Sequence, residues 1–377
     1  MSLNLLFQDN CKSKGEEKPF SYLFINLLLI DIRSSFPSLL SILNSPEYSA
    51  VSRRLAAAFD IVSGFISFLV RSLDEEDRPS ISFSMPPDLL LKIRKEISET
   101  ISVTIEYLRD RWDFAFAGVA GLHPSARTGT TTTSEGTRLT LTWESMKVDV
   151  STDHLVLSGI RTLAIWLRED NNENLRKQAA GLMDMFTELY QIDSSEALDF
   201  RFPVLTALES LILSGEGAES FINQGGWEIL SRDLARSVDD TPLREALGDQ
   251  QPLYNSLIEA NASRGIEIVR VLLATVNQQS TVPESWMTLV KAAASIKRPL
   301  GVRQPLVMEL QISILQLAAE LLSSATSGMQ KRYVSCTTAI LGLVAQLRVH
   351  CSEFSGSIAQ EFRESLDDVA IGLEDLR

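Results

Sequence analysis

Between Phe221 and Val238 the chain reads FINQGGWEILSRDLARSV. A short apolar helix runs into Asn223-Gln-Gly-Gly226, and a new stripe starts at Trp227 and continues through Leu230, Leu234 and Val238 at helical spacing. Paired glycines release φ where one helix stops and let the next fold back tightly on it. A chain with such a joint is constrained to stack its helices in pairs.

The same grammar recurs along the chain. Ser45-Pro46 sets a capping hydroxyl before a proline at the first helical position. The helix it opens carries Val51, Leu55, Phe59, Val62, Ile66 and Leu69, and the acidic tract Asp74-Glu75-Glu76-Asp77 ends it. Pro86-Pro87 opens the next, with Ile93, Ile97, Ile101, Ile105, Leu108 and Trp112 on one face. Later stripes are Val156, Ile160, Leu163, Leu167; then, in one helix, Leu175, Ala179, Leu182, Phe186, Leu189; then Val204, Leu208, Leu211, Ile212 after Pro203. Beyond the glycine joint come Ile266, Val269, Leu273, Val276; Leu310, Ile314, Leu317, Leu321; and Cys336, Ile340, Leu343, Leu347. A last amphipathic stretch, Ile358–Leu373, has an acidic outer side suited to capping the stack. Helix pairs return at roughly 40 residues, so the expected fold is all-α, an armadillo/HEAT-like α-solenoid of stacked helix pairs.

Four segments follow from this reading. Residues 1–17 are polar as a whole, lack periodicity and read as an unstructured or mis-assigned start; 18–117 hold the first helical repeats. Residues 118–150 read as a flexible insertion, because Gly121 to Gly136 is too rich in Thr, Ser and Gly to support a core. Arg138 to Trp143 alternates and fits either a short strand or a loop edge. Residues 151–377 continue the repeats to the capping helix. Apolar residues make up 45% and aromatics only 7%, a balance that suits helix-on-helix packing better than a β-sandwich.

The formal charge of −14 argues against general nucleic-acid binding, which needs a basic face to release counterions. Phe20 to Ile30 is the one candidate targeting segment. At about eleven residues it falls short of the roughly 20 that span a bilayer, and Asp31 and Arg33 follow where a cleavage site would stand. It reads as a buried first helix, and no membrane span is expected. Cys11, Cys336 and Cys351 are too few and too scattered for a disulfide framework, which points to a reducing, cytoplasmic setting.

The search for chemistry finds little. His123, His154 and His350 have no partners at metal-ligand spacing, so no metal site is expected. No nucleophile elbow is present, and Gly118-Val-Ala-Gly121 lacks the Lys-Ser/Thr of a phosphate loop, so neither a catalytic residue nor a cofactor is assigned. The carboxylate pairs Glu169-Asp170 and Asp239-Asp240 read as solvated turns. Trp112, Trp166 and Trp227 lie on or beside apolar stripes and are assigned to the core. Trp143 and Trp286 are the surface candidates for anchoring a partner. Lys291, Lys297, Arg298 and Arg303 gather positive charge and read as either a local site for an anion or acidic peptide or a solvated inter-helix turn.

Three stretches carry a resemblance: FINLLLIDIRSSFPSLLSILNSPEY from Phe24, WLREDNNENLRKQAAGLMDMFTELY from Trp166, and FRFPVLTALESLILSGEGAESFINQGGWEILSRDL from Phe200. Together the chain resembles the neurochondrin family in its fungal-type form, over most of residues 20–375. The resemblance implies an armadillo-like array in the cytosol, with no catalytic motif to carry over. Animal members are implicated in neurite outgrowth, receptor-tail binding and restraint of a calmodulin-dependent kinase. Family members are longer, so the chain is expected to correspond to a C-terminal portion. The expected function is a non-enzymatic scaffold or adaptor for proteins or peptides. The alternatives are a regulatory subunit that inhibits a kinase or occupies a receptor tail, and, more remotely, an enzyme of unfamiliar type.

Overall fold

The computed structural model of the chain describes residues 19–43, 45–74, 85–117, 150–193, 197–238, 251–296, 304–354 and 356–374. Among the described residues the secondary structure is all α-helix and short 3-10 turns, with no strand. The chain is all-α. Its packing divides it into two units, Met1–Gly217 and Ala218–Arg377. That division falls within the run 151–377 that reads as continuous in sequence. Helices on either side of residues 118–149 pack in the same unit. The segment 1–17, nearly all of the insertion and the strand alternative at Arg138–Trp143 lie outside the described residues.

The first unit holds α1 (Phe20–Leu39), α2 (Pro46–Asp74), α3 (Pro87–Ala117), α4 (His154–Glu169), α5 (Glu173–Ala180), α6 (Met183–Gln191) and α7 (Arg201–Ile212). Helix α2 packs on α4 and α4 on α7, while α1 packs on α3 and α3 on α5, giving two rows. The stripe of α3 from Ile93 to Trp112 and that of α4 from Val156 to Leu167 are buried as the spacing predicts. Start signals work locally. Ser45 Oγ accepts from Glu47 N–H at 3.3 Å, Asp153 caps α4 through Leu155 N–H at 2.9 Å, and Asn172 caps α5.

Two expectations are corrected here. The single helix predicted from Leu175 to Leu189 is two, because it breaks at Gly181-Leu182. Arg109 reaches in from α3 and donates to the Gln178 carbonyl at 2.8 Å, the acceptor that Leu182 N–H would use in an unbroken helix. Leu182 N–H turns to Ala179 O instead, at 2.9 Å. Asp170 is also no solvated turn: it is buried and accepts from Arg94 at 2.6 Å and from Ser98 at 3.4 Å.

The second unit contains α8 (Gly215–Asn223), whose first residues precede the division, then α9 (Gly226–Val238), α10 (Gln251–Asn277), α11 (Met287–Ala294), α12 (Pro305–Ser323), α13 (Ser327–Arg332), α14 (Val334–His350) and α15 (Ser357–Glu374). Here too the contacts form two rows: α10 on α12 on α15, and α9 on α11 on α14. The glycine joint has the geometry its sequence asks for. Gly225 has φ +70°, the left-handed region that ends helices. A Cβ at Gly226 would stand 2.2 Å from the Phe221 ring, so only glycine lets α9 start against α8.

Among the described residues three segments, Phe20–Ile42, Pro46–Ser72 and Pro305–Ser323, are long and apolar enough to cross a membrane by length and composition. The first is therefore twice as long as the sequence run suggested. It is also not the buried helix expected, because only one side of α1 faces the core.

Candidate functional site

Helix α1 is apolar nearly all round, and packing decides which side is covered. Ile25, Leu29, Ile32, Phe36 and Leu39 face inward and are buried. Phe20, Leu23, Leu27 and Ile30 face outward, exposed to 58, 50, 63 and 48%. Their spacing of three, four and three is the seam pattern of one helix laid against another. The stripe ends where the outward positions become Ser34, Ser38 and Ser41, whose hydroxyls bond back to carbonyls of their own helical turns.

The inner side is firmly held. Arg33 pairs with Glu96 and Glu99 on α3, and Asp31 pairs with Arg54 on α2 at 3.0 Å. The Phe36 ring stacks on Tyr107 at 4.5 Å. These contacts set α1 and α3 running in the same direction. Leu91, in the first turns of α3, is a further apolar side chain left 63% exposed.

Behind that stack lies a buried polar clasp. Tyr48 donates to Asp153 and shares a 3.2 Å hydrogen bond with Tyr107, while Ser52 donates to Asp153 at 3.2 Å. Arg111, fully buried, stands 4.0 Å from Asp153, with Nε and Nη1 otherwise unpaired. Burial first, and the Asp153 charge second, push the Tyr48 phenol up to about 12; burial likewise holds Tyr107 well above its usual value. Three distant segments meet here, so the arrangement is a lock between α2, α3 and α4. Spacing along the chain offers no signal for it.

Of the partner-binding residues picked from sequence, Trp286 and Lys291 lie among the described residues. Trp286, expected at the surface, is buried and stacks on Trp227 with ring centres 3.7 Å apart. The 3-10 turn Glu284–Trp286 sends its ring inward, and its spacing with Val290 and Ala293, both buried, is the signal that places it on the inner face of α11. Lys291 is on the surface, with Nζ 5.5 Å from the Tyr333 ring centre, a cation–π distance. Trp143, Lys297, Arg298 and Arg303 lie outside the described residues. Close by in the chain, Ile296 joins Gln311, Leu315, Leu343, Gln346, Leu347 and His350 around a small apolar cleft. His154 is exposed at the start of α4, and His123 lies outside the described residues. Among the described residues no three His, Cys, Asp or Glu side chains are placed to hold a metal ion.

Comparison with known proteins adds family. The Neurochondrin family model matches residues 2–244, more than half of the chain. The chain belongs to the neurochondrin family. The match takes in α1 and its outward stripe, and reaches past the glycine joint. An uncharacterized protein of Schizosaccharomyces pombe is 22% identical over 223 residues, covering 59% of this chain and 34% of that protein. The chain thus spans about a third of the length of that curated relative. No solved structure matches.

Proposed function

We propose that this neurochondrin-family chain is a non-enzymatic protein–protein interaction scaffold or adaptor, an armadillo/HEAT-like α-solenoid that works in the cytoplasm without spanning a membrane. The observation that carries the reading is the outward stripe of α1. Four large apolar side chains in seam spacing, left half open on a helix whose other side is pinned by ion pairs, form a surface that water solvates poorly. The two rows of helices in each unit support a stacked-pair architecture, and family membership supports protein partners. The polar groups richest in contacts, around Asp153, lie inside the packing and are spent on holding it.

The reading is tested with a photo-cross-linking residue at Leu27 in the full chain. A defined protein, captured repeatedly from Leu27 and lost when Leu23→Ser and Ile30→Ser are added, is the expected result. Turnover of a substrate by the purified chain alone would overturn it.

A further inference from the structure

We propose that the outward face of α1 is covered by the same face of a second copy of the chain, the two helices lying antiparallel about a two-fold axis. The proposal goes beyond the scaffold reading, because it names what covers the stripe while no other protein does. Phe20, Leu23, Leu27 and Ile30 are spaced by three, four and three, a pattern that reads the same from either end. Laid end over end on a second copy, Phe20 meets Ile30 and Leu23 meets Leu27. One patch therefore supplies both halves of the contact, as a two-fold interface requires. Half-buried Phe24 and Leu28 lie beside the stripe and widen the apolar face to two side chains.

Charge and area fit this occupant. From Phe20 to Ile30 there is no Asp, Glu, Lys or Arg, so two copies bring no like charges into contact although each carries −14. The next charges along the helix, Asp31 and Arg33, are already paired with Arg54 and with Glu96 and Glu99. A parallel pair would set two helix N-termini, the positive ends of their dipoles, side by side. The antiparallel pair holds them about 15 Å apart. Taking about 200 Å² for a whole large side chain, the exposed parts of the face come to roughly 500 Å² per copy. About 1,000 Å² for the pair is the size of a weak, reversible interface, which yields to a tighter-binding protein. An unrelated protein would need a matching uncharged helix face; a second copy brings one. A bilayer fits less well, because helices that lie in a membrane surface carry Lys and Arg along their polar side. Helix α1 has Arg33 as its one basic residue, and the glutamates of α3 hold it.

The test mixes two variants of the full chain, Phe20→Cys and Ile30→Cys, each also carrying Cys11→Ser and Cys336→Ser; Cys351 is buried. Under mild oxidation the mixture is expected to form its intermolecular disulfide about tenfold faster than either variant alone. In the antiparallel register Phe20 of one copy faces Ile30 of the other, whereas the two copies of Phe20 stand about 15 Å apart, beyond the reach of a disulfide. In parallel, sedimentation of the unaltered chain is expected to shift from monomer to dimer as concentration rises. Leu27→Ser should abolish that shift, and Ser38→Ala, on the same helix beyond the apolar stripe, should keep it. Equal linking rates, faster linkage of Phe20→Cys with itself, a monomer at every concentration, or a dimer that Leu27→Ser leaves intact would each overturn the proposal. So would Leu27-dependent flotation of the chain with phosphatidylcholine vesicles, which assigns the face to a bilayer. The scaffold reading fails separately: it does so when the Leu27 photo-cross-linker, with the chain diluted to monomer, captures no other protein.

Discussion

Helix α1 in the first unit and helix α15 in the second share a plan and differ on one side. Each buries a clean apolar stripe: Ile25, Leu29, Ile32 and Phe36 in α1, and Phe362, Leu366, Val369 and Leu373 in α15. On the outside, α15 shows Gln360, Glu361, Arg363, Glu364, Asp367 and Asp368, with two exposed apolar exceptions, one near each end, at Ile358 and Ile371. Helix α1 shows Phe20, Leu23, Leu27 and Ile30. Charge finishes a helix against water. An apolar outer side leaves the helix open to another surface. The inner sides thus supply stability, and the outer sides decide what each helix meets.

The comparison breaks first at the inner sides. Leu29→Ala and Leu366→Ala should each cost about 2–5 kcal/mol, since both side chains are fully buried. Chemical denaturation checks this. A cost under ~1 kcal/mol at Leu29 would mean α1 is not bound in as described, and its outer stripe would lose its meaning.

A medium effect sharpens the contrast by pH. Tyr48 belongs to the clasp behind α1, and its pKa rises from 10.0 to about 12 on folding. A raised folded pKa means the protonated phenol is the form the fold prefers. Its contribution is whole below pH 10 and is lost as pH climbs through about 12. The loss is on the order of 2 kcal/mol. Tyr48→Phe should flatten that part of the stability profile of the first unit, followed by denaturant melts at stepped pH. A profile that Tyr48→Phe leaves unchanged would show that the clasp does not hold the phenol.

The smallest effects on stability belong outside. Leu23→Ser with Leu27→Ser should shift stability by no more than ~0.5 kcal/mol while improving solubility, measured by melting and by light scattering. Asp367→Asn on α15 removes an exposed pair with Arg348 and should cost under ~1 kcal/mol. If the α1 double variant instead unfolds the chain, the stripe is core and the contrast between the two helices disappears.

How much of this was readable in sequence depends on how local the cause is. The stripes of α3, α4 and α7, the Ser45-Pro46 start and the glycine joint all follow from spacing and backbone rules within one turn or two. The break at Gly181 did not, because Arg109 makes it from another helix. Trp286, expected at the surface, shares its spacing with buried Val290 and Ala293, a local signal that places it inside. The outward stripe of α1 was hidden for a different reason. A segment that is apolar on every side, such as Phe24 to Ile30, carries no sign of which side the core will take. The clasp at Asp153 was out of reach altogether, since Tyr48, Ser52, Tyr107 and Arg111 converge only in the folded chain.

The Trp227–Trp286 stack has a consequence in optics. Two indoles 3.7 Å apart couple their electronic transitions and should produce a paired near-ultraviolet circular dichroism band. Both rings belong to the second unit, whereas Trp112 of the first donates its indole N–H to Asp184 at 3.0 Å. The chain therefore carries its own spectroscopic label for one of its halves, and a melt followed at that band reports when the glycine joint and its partner helices come apart.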